Sequence, residues 1–195
     1  MFIETICILN GEVQNIEAHK KRMQETASNF KFNAPELPDI EALLTDGLRE
    51  SKIKCRVCYH NDIISISFEK YIPRNILSLK LINIFPDYSF KFSNRKVIND
   101  LQKLKDGCDD ILIVRNGLIT DTSYSNVVFR KDNDFFTPNF PLLNGTKRQK
   151  LLENKVVKEA EISVDNVKQY DRVWLINALL DIEDNVSLSV NQIFE

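Results

Sequence analysis

Long apolar runs are missing from this chain of 195 residues. Its longest, such as Val173 to Ile176, fall far short of the ~20 residues that cross a bilayer, so no transmembrane helix is expected. An excess of one charge is missing too. The 26 Lys and Arg against 28 Asp and Glu leave a net charge of −2. Basic clusters such as Lys20-Lys21-Arg22 are short, and no chain-wide basic field points to nucleic acid. The first apolar stretch, Met1 to Leu9, carries Glu4 and runs into Asn10-Gly11, without the basic start or cleavage site of a secretory signal. Cysteine is scarce, at Cys7, Cys55, Cys58 and Cys108. Cys55-Arg56-Val57-Cys58 has redox or zinc spacing, but no second pair or suitably placed histidine completes a metal site. Lys54 to Tyr59 reads as a strand, which sends the two thiols to opposite faces. Reduced structural thiols in a soluble, cytoplasmic protein are the expectation, with no metal, membrane or nucleic-acid partner.

What is present is an alternation of short strands with a few helices and no internal repeat. Strands are expected at Phe2 to Leu9, Ile53 to His60, Ile63 to Tyr71 and Ile76 to Phe85. Asn10-Gly11 is a hairpin signal. Asn15 is placed to cap a helix from Ile16 to about Ser28, and a second helix is expected from about Ile40 to Glu50 after Pro35 to Pro38. Pro86-Asp87 interrupts the pattern and suggests a boundary between a domain at 1–85 and another at 86–195. Beyond it a helix is expected at about Lys96 to Lys105. Strands follow at Asp110 to Arg115, Leu118 to Asp121, Ser125 to Arg130, Ala160 to Val164 and Val173 to Ile176, and Asp132-Asn133-Asp134 turns into Phe135-Phe136-Thr137. A further helix is expected from Thr146 to Asn154.

Four segments could carry chemistry. Lys91 lies among aromatics in Tyr88-Ser89-Phe90-Lys91-Phe92-Ser93-Asn94-Arg95. Most such lysines bury the stem and keep the ammonium in water. In an apolar pocket near another cation such as Arg95, however, the amine loses proton affinity and can attack an aldehyde. Asp121 ends a strand between Thr120 and Thr122, as a turn carboxylate or as an acceptor that keeps a pyridine nitrogen protonated. Gly145-Thr146-Lys147-Arg148 opens a helix whose free amides can cup an anion, or is an ordinary helix start. On the first helix His19 and Arg22 stand one turn apart, on a solvated basic face or in a site. An imine-forming lysine, a carboxylate and an anion cup are together what pyridoxal phosphate requires.

Taken in order, these segments resemble the class IV aminotransferase family, the fold-type-IV pyridoxal phosphate enzymes. The resemblance is carried by Glu4-Thr5-Ile6 with Asn10-Gly11, His19-x-x-Arg22, Lys91-x-x-Asn94-Arg95, Asp121 to Asn126, Thr137-Pro138 and Leu143-x-Gly145-x-x-Arg148. It implies an α/β fold with a small N-terminal α/β domain, a larger C-terminal pseudo-barrel domain and pyridoxal 5'-phosphate between them, usually in a homodimer. Lys91 would be the Schiff-base lysine and later the general base. Arg22, Gly145 and the amides of Thr146 and Lys147 would hold the phosphate. Asp121 would pair with the pyridine nitrogen, Leu143 would pack against the ring, and Asn177-Ala178 would lie near the phosphate.

The chain departs from the family pattern in three places. Asp121 stands where Glu is usual, and Thr146-Lys147 stand where Ile-Thr often follows the glycine, so Lys147 either adds charge to the phosphate or faces solvent. Set against the resemblance, the chain is also expected to start near the family's second strand, without the segment that helps shape the substrate pocket. Lys91-x-x-Asn94-Arg95 and Asn177-Ala178-Leu179 look more like aminodeoxychorismate lyase, which releases pyruvate to give 4-aminobenzoate. An aminotransferase acting on a branched-chain or D-amino acid is the alternative, and a non-catalytic relative that binds cofactor or a partner is the third.

Overall fold

The computed structural model describes residues 1–84, 86 and 88–195. Phe85, where the fourth expected strand ends, and Asp87, in the expected boundary, lie outside the described residues. The chain divides into two compact units. One is Met1–Ile72 with Phe90–Asn94; the other is Pro73–Ser89 with Arg95–Glu195. The lysine segment 90–94 thus returns to the unit built by the N-terminus.

The first unit is an antiparallel sheet and one long helix. Strand β1 (Phe2–Leu9) turns through Asn10 and Gly11, both at positive φ, into the short β2 (Glu12–Val13). That is the backbone a two-residue hairpin demands and the reason for the Asn-Gly pair. Strands β3 (Lys52–Tyr59) and β4 (Ile63–Lys70) complete the sheet in the order β2-β1-β3-β4. Alternate side chains share a face. Phe2, Glu4, Ile6 and Ile8 therefore stand beside Tyr59, Val57, Cys55 and Ile53 of β3. The apolar members pack with Ile40 and Leu44 in one cluster and with Met23 in another. Each full burial of such a side chain stabilises by about 1.5–3 kcal/mol. Helix α1 (Ile16–Phe30) buries His19, Arg22, Met23, Thr26 and Ala27, the stripe that a 3.6-residue period presents to one side.

Two local expectations are corrected here. Asn15 takes a left-handed backbone and accepts no cap hydrogen bond from α1. The helix expected from Ile40 to Glu50 is a set of turns with a single 3-10 turn at Asp46–Leu48. Ile40 and Leu44 have helical spacing and are buried. Gly47, poor in helices, interrupts the run soon after, and the bonds that form reach back only three residues, from Leu43 to Ile40 and from Leu44 to Glu41.

Among the described residues the second unit is built on a mixed sheet of nine strands. Its path runs through β5 (Leu79–Asn83), β6 (Asp110–Arg115), β7 (Leu118–Thr122), β8 (Asn126–Lys131), β9 (Asp134–Pro138) and β10 (Lys158–Ala160), in that order. Strand β11 (Arg172–Ile176) pairs with β8 and with β12 (Ser187–Ser189), and β13 (Ile193–Phe194) pairs parallel to β5. Val127 and Phe129 enter the large core with Val173 and Leu175, while Val128 faces a second cluster with Leu151, Trp174 and Ile176. Burial on both faces explains why β8 reads as a continuous apolar run. Helix α2 (Lys96–Gln102) is shorter than expected, and α3 (Thr146–Glu153) begins where expected.

Strand β5 is shorter than its apolar run because the Leu77 and Ser78 amides donate to the Asp109 carboxylate instead of a neighbouring strand. The segment expected as a strand from Ala160 to Val164 changes partners. After β10 it meets β7 only through an isolated bridge between Leu118 and Ser163.

Cys55 and Cys58 lie on β3 with opposite parity, and all four thiols are free and buried. Burial pushes the Cys55 thiol up to about 12. A disulfide-exchange reagent should therefore label no thiol rapidly in the native protein and all four after denaturation. Rapid native labelling would contradict the packing.

Candidate active site

In the first unit a buried ionic cluster interrupts the apolar face of the sheet. Glu4 has the parity of Phe2, Ile6 and Ile8 and is fully buried. Its partners come from the buried stripe of α1. Arg22 Nε donates to Glu4 Oε1 at 2.9 Å, and Nη2 donates to Oε2. His19 Nδ1 lies 2.6 Å from Oε2. Burial alone would raise the Glu4 carboxyl. The Arg22 charge and the hydrogen bonds from His19 and Arg22 outweigh it and bring the carboxyl down to about 2. Burial lowers the His19 imidazole, Glu4 opposes that, and the charges of Arg22 and Lys91 add to the lowering. His19 and Arg22 are thus inside the unit, which excludes the solvated basic face for both; Lys20 and Lys21 occupy that face.

Lys91 is held by its backbone beside the same strand. Its carbonyl accepts the Ile3 amide at 3.0 Å, and the Ser93 amide donates to the Met1 carbonyl at 3.1 Å. Phe90 packs edge-on to Phe30, and Phe92 packs on Phe2 and Phe30. The aromatics flanking Lys91 therefore anchor the segment. The half-buried side chain lies close enough to His19 for its charge to be felt there. Arg95 belongs to the second unit and donates to the Ser123 carbonyl.

In the second unit a tight turn sets the carboxylate. The Thr122 and Ser125 backbones close the β7–β8 connection at 2.8 Å, and Asp121 pairs directly with Asn126. Asn126 Nδ2 donates to Asp121 Oδ1 at 2.8 Å and the Leu143 amide donates to Oδ2 at 2.8 Å. Burial pushes the Asp121 carboxyl up to about 7, against the opposing pull of the Leu143 amide, the Asn126 side chain and Arg148. Each oxygen has capacity for a further donor.

Next to this carboxylate, Gly145 precedes α3, and its missing side chain makes room for the Asn126 amide. The first amides of α3, at Thr146 and Lys147, are not consumed by the helix ladder. The Lys147 ammonium pairs with Asp181, so its charge is partly neutralised. Asn177 Nδ2 donates to Ser125 Oγ at 2.9 Å, and Asn177 with Leu180 closes a tight turn containing Ala178. Asp121, Leu143, Gly145 and Asn177 are therefore linked through Ser125 and Asn126. Lys91 and Arg22 stand in the first unit with His19.

In the second unit the buried carboxylate, with lone pairs to spare, and the start of α3 fit the pyridine nitrogen and the phosphate of pyridoxal 5'-phosphate. In the first unit Lys91 is a primary amine of the kind that bonds its aldehyde. Arg22 directs two of its donors to Glu4, which leaves others for an anion and offsets part of its charge. Among the described residues no group of three or more His, Cys, Asp or Glu side chains is arranged to hold a metal ion. Glu4 and Asn126 were not singled out from sequence as site residues. The signals were there: a lone carboxylate in the Phe2-Ile6-Ile8 alternation, and an amide facing Asp121 across a short turn.

The two carboxylates should respond to pH in opposite senses. Glu4 is held below its ordinary value of 4.5, so it stabilises the fold above that pH and the contribution is lost as pH falls toward 2. Glu4→Gln leaves Arg22 buried without its counter-ion. It should cost about 3–5 kcal/mol at neutral pH and flatten that acid limb in urea unfolding curves. Asp121 is held above its ordinary value of 3.8, so the fold loses stability as pH rises from there through about 7. The stability of Asp121→Asn relative to the parent should therefore rise by about 2–4 kcal/mol between acid and mildly alkaline pH. A constant difference would show that Asp121 is not perturbed.

The chain matches the amino-transferase class IV family over residues 1–183. An uncharacterized protein of Haemophilus influenzae is 34% identical over 182 residues, covering 90% of this chain and 96% of that one. A provisionally named aminodeoxychorismate lyase of Schizosaccharomyces pombe is 25% identical over 88% of this chain and 83% of its own length. Among solved structures, a provisionally named 4-amino-4-deoxychorismate lyase of Haemophilus somnus superposes with a TM-score of 0.82. It is 35% identical, over 91% of this chain and 95% of that chain. The chain is a member of the class IV aminotransferase family.

Proposed function

We propose that this protein is a pyridoxal-phosphate-dependent enzyme of the aminodeoxychorismate lyase type, which releases pyruvate and leaves 4-aminobenzoate. Class IV aminotransferases use pyridoxal phosphate as a family. The observation that carries the cofactor to this chain is the Asp121 carboxylate, buried and joined through Asn126 and Leu143 to the start of α3. The lyase preference is supported by the names of the Haemophilus somnus and Schizosaccharomyces pombe relatives.

When bound, pyridoxal phosphate supplies an aldehyde for imine formation and a ring that takes up electrons. Lys91 would provide the amine that holds the cofactor, and its amine would then carry the proton that must leave the carbocycle as it becomes aromatic. Asp121 would hold the ring nitrogen protonated, and a cation there would favour its ionised form and bring its pKa below the value set by burial. The Thr146 and Lys147 amides would hold the phosphate, and Arg22 would add a cationic donor for it. His19 and Glu4 fix the guanidinium of Arg22 through the buried cluster. An aminotransferase would use the same groups, with Lys91 moving a proton from the substrate α-carbon to the cofactor.

Added pyridoxal phosphate should give the protein a visible absorption band that is absent in Lys91→Ala. Arg22→Ala should weaken cofactor binding by about 2–5 kcal/mol, the range for truncating one partner of a buried charged contact. With aminodeoxychorismate, equal amounts of pyruvate and 4-aminobenzoate should appear. If amino acids instead bleach the band to the pyridoxamine form and no 4-aminobenzoate is made, the protein is an aminotransferase. With no band at all, the cofactor assignment fails.

A further inference from the structure

We infer that Asn126 is a positioning residue, a two-way amide tie that fixes the Asp121 carboxylate against the loop leading into α3. Its Nδ2 donates to Asp121 Oδ1 and to the Leu143 carbonyl, each at 2.8 Å. The Leu143 amide returns to Asp121 Oδ2 at 2.8 Å, which closes a ring of three residues. The amide orientation follows from chemistry, because an ionised carboxylate and a carbonyl offer only acceptors, so the nitrogen must face them. Asn126 is 6% exposed, so few waters can replace those bonds.

The fourth side of the tie is steric. A Cβ on Gly145 would overlap Asn126 Oδ1, so the amide occupies the space left by the glycine that precedes α3. The ring nitrogen's partner and the anion cup are distant in sequence and share this one side chain. Aspartate in its place would set two carboxylates side by side, and leucine would leave Asp121 Oδ1 and the Leu143 carbonyl without their donor. Glutamine is longer by a methylene that Gly145 leaves no room for.

The link to catalysis rests on the proposed cofactor reading; the tie itself does not, and the two can fail separately. In the cofactor-free wild-type protein, NMR of the Asn126 side-chain amide should show it titrating together with the Asp121 carboxyl, whose signal is assigned by its loss in Asp121→Asn. The common midpoint expected is about 7. In folded Asn126→Asp the Asp121 midpoint should rise by about one unit or more, as expected when a like charge replaces a donor. In Asn126→Ser, which keeps one donor, the shift should be smaller.

Pyridoxal phosphate affinity should fall at least about tenfold in Asn126→Asp, roughly the loss of one charge-assisted hydrogen bond. A wild-type amide that ignores the Asp121 titration overturns the tie without any variant having to fold. So does a folded Asn126→Asp with an unmoved Asp121 midpoint. Titration as expected in a protein that binds no pyridoxal phosphate would keep the tie and reject the cofactor reading.

Discussion

The second unit depends on keeping a carboxylate buried at the mouth of the β7–β8 turn. An isolated ionised carboxylate is expensive to bury, and Asp121 is tolerated because its oxygens receive the Leu143 amide and the Asn126 side chain. Those donors are neutral, so they offset burial only in part and the group titrates near neutrality. A carboxyl poised this way is easily converted to the ionised form by a cationic partner, which a protonated pyridine is. Its surroundings follow from the same requirement: the Thr122–Ser125 turn places Asn126 opposite Asp121, and Gly145 lets the next loop close over it.

The first unit buries a carboxylate by the other route. Glu4 stands in an apolar sheet face and is matched by one cation, Arg22, with two hydrogen bonds, and by the His19 imidazole with one. Opposite charge outweighs desolvation, and Glu4 stays ionised far into acid. Such a cluster adds little net stability compared with an apolar core, but removing one member is costly. On the proposed reading its functional value lies in orientation. A guanidinium locked on one edge by Glu4 presents its remaining donors in a defined direction, and little side-chain entropy is then lost when an anion arrives.

Much of the fold was legible because its strands are short, regular and bounded by clear turn residues. Phe2 to Leu9, the Asn10-Gly11 turn, Asp110 to Arg115 and the start of α3 at Thr146 are where periodicity and turn chemistry place them. The failures have local causes. Ile40 and Leu44 carry helical spacing but are two anchors in a segment broken at Gly47. Ala160 to Val164 is apolar enough for a strand, yet it trades one partner for another. Strands β12 and β13 are too short to leave a pattern. The residues of the proposed site stand out in the sequence by chemical type, whereas Glu4 and Asn126 left weaker signals that were not singled out. Their contacts come from cross-strand and strand–helix neighbours, which one-dimensional spacing does not display.

On the proposed reading Lys91 is the amine that would bond the cofactor aldehyde. Borohydride reduction of the protein with pyridoxal phosphate, followed by peptide mapping, tests it most directly, because reduction makes the linkage permanent at whichever lysine formed it. A phosphopyridoxyl group is expected on the peptide carrying Lys91, in near one-to-one yield and blocked in Lys91→Ala. A stoichiometric modification at another lysine, or none in folded protein, would contradict it.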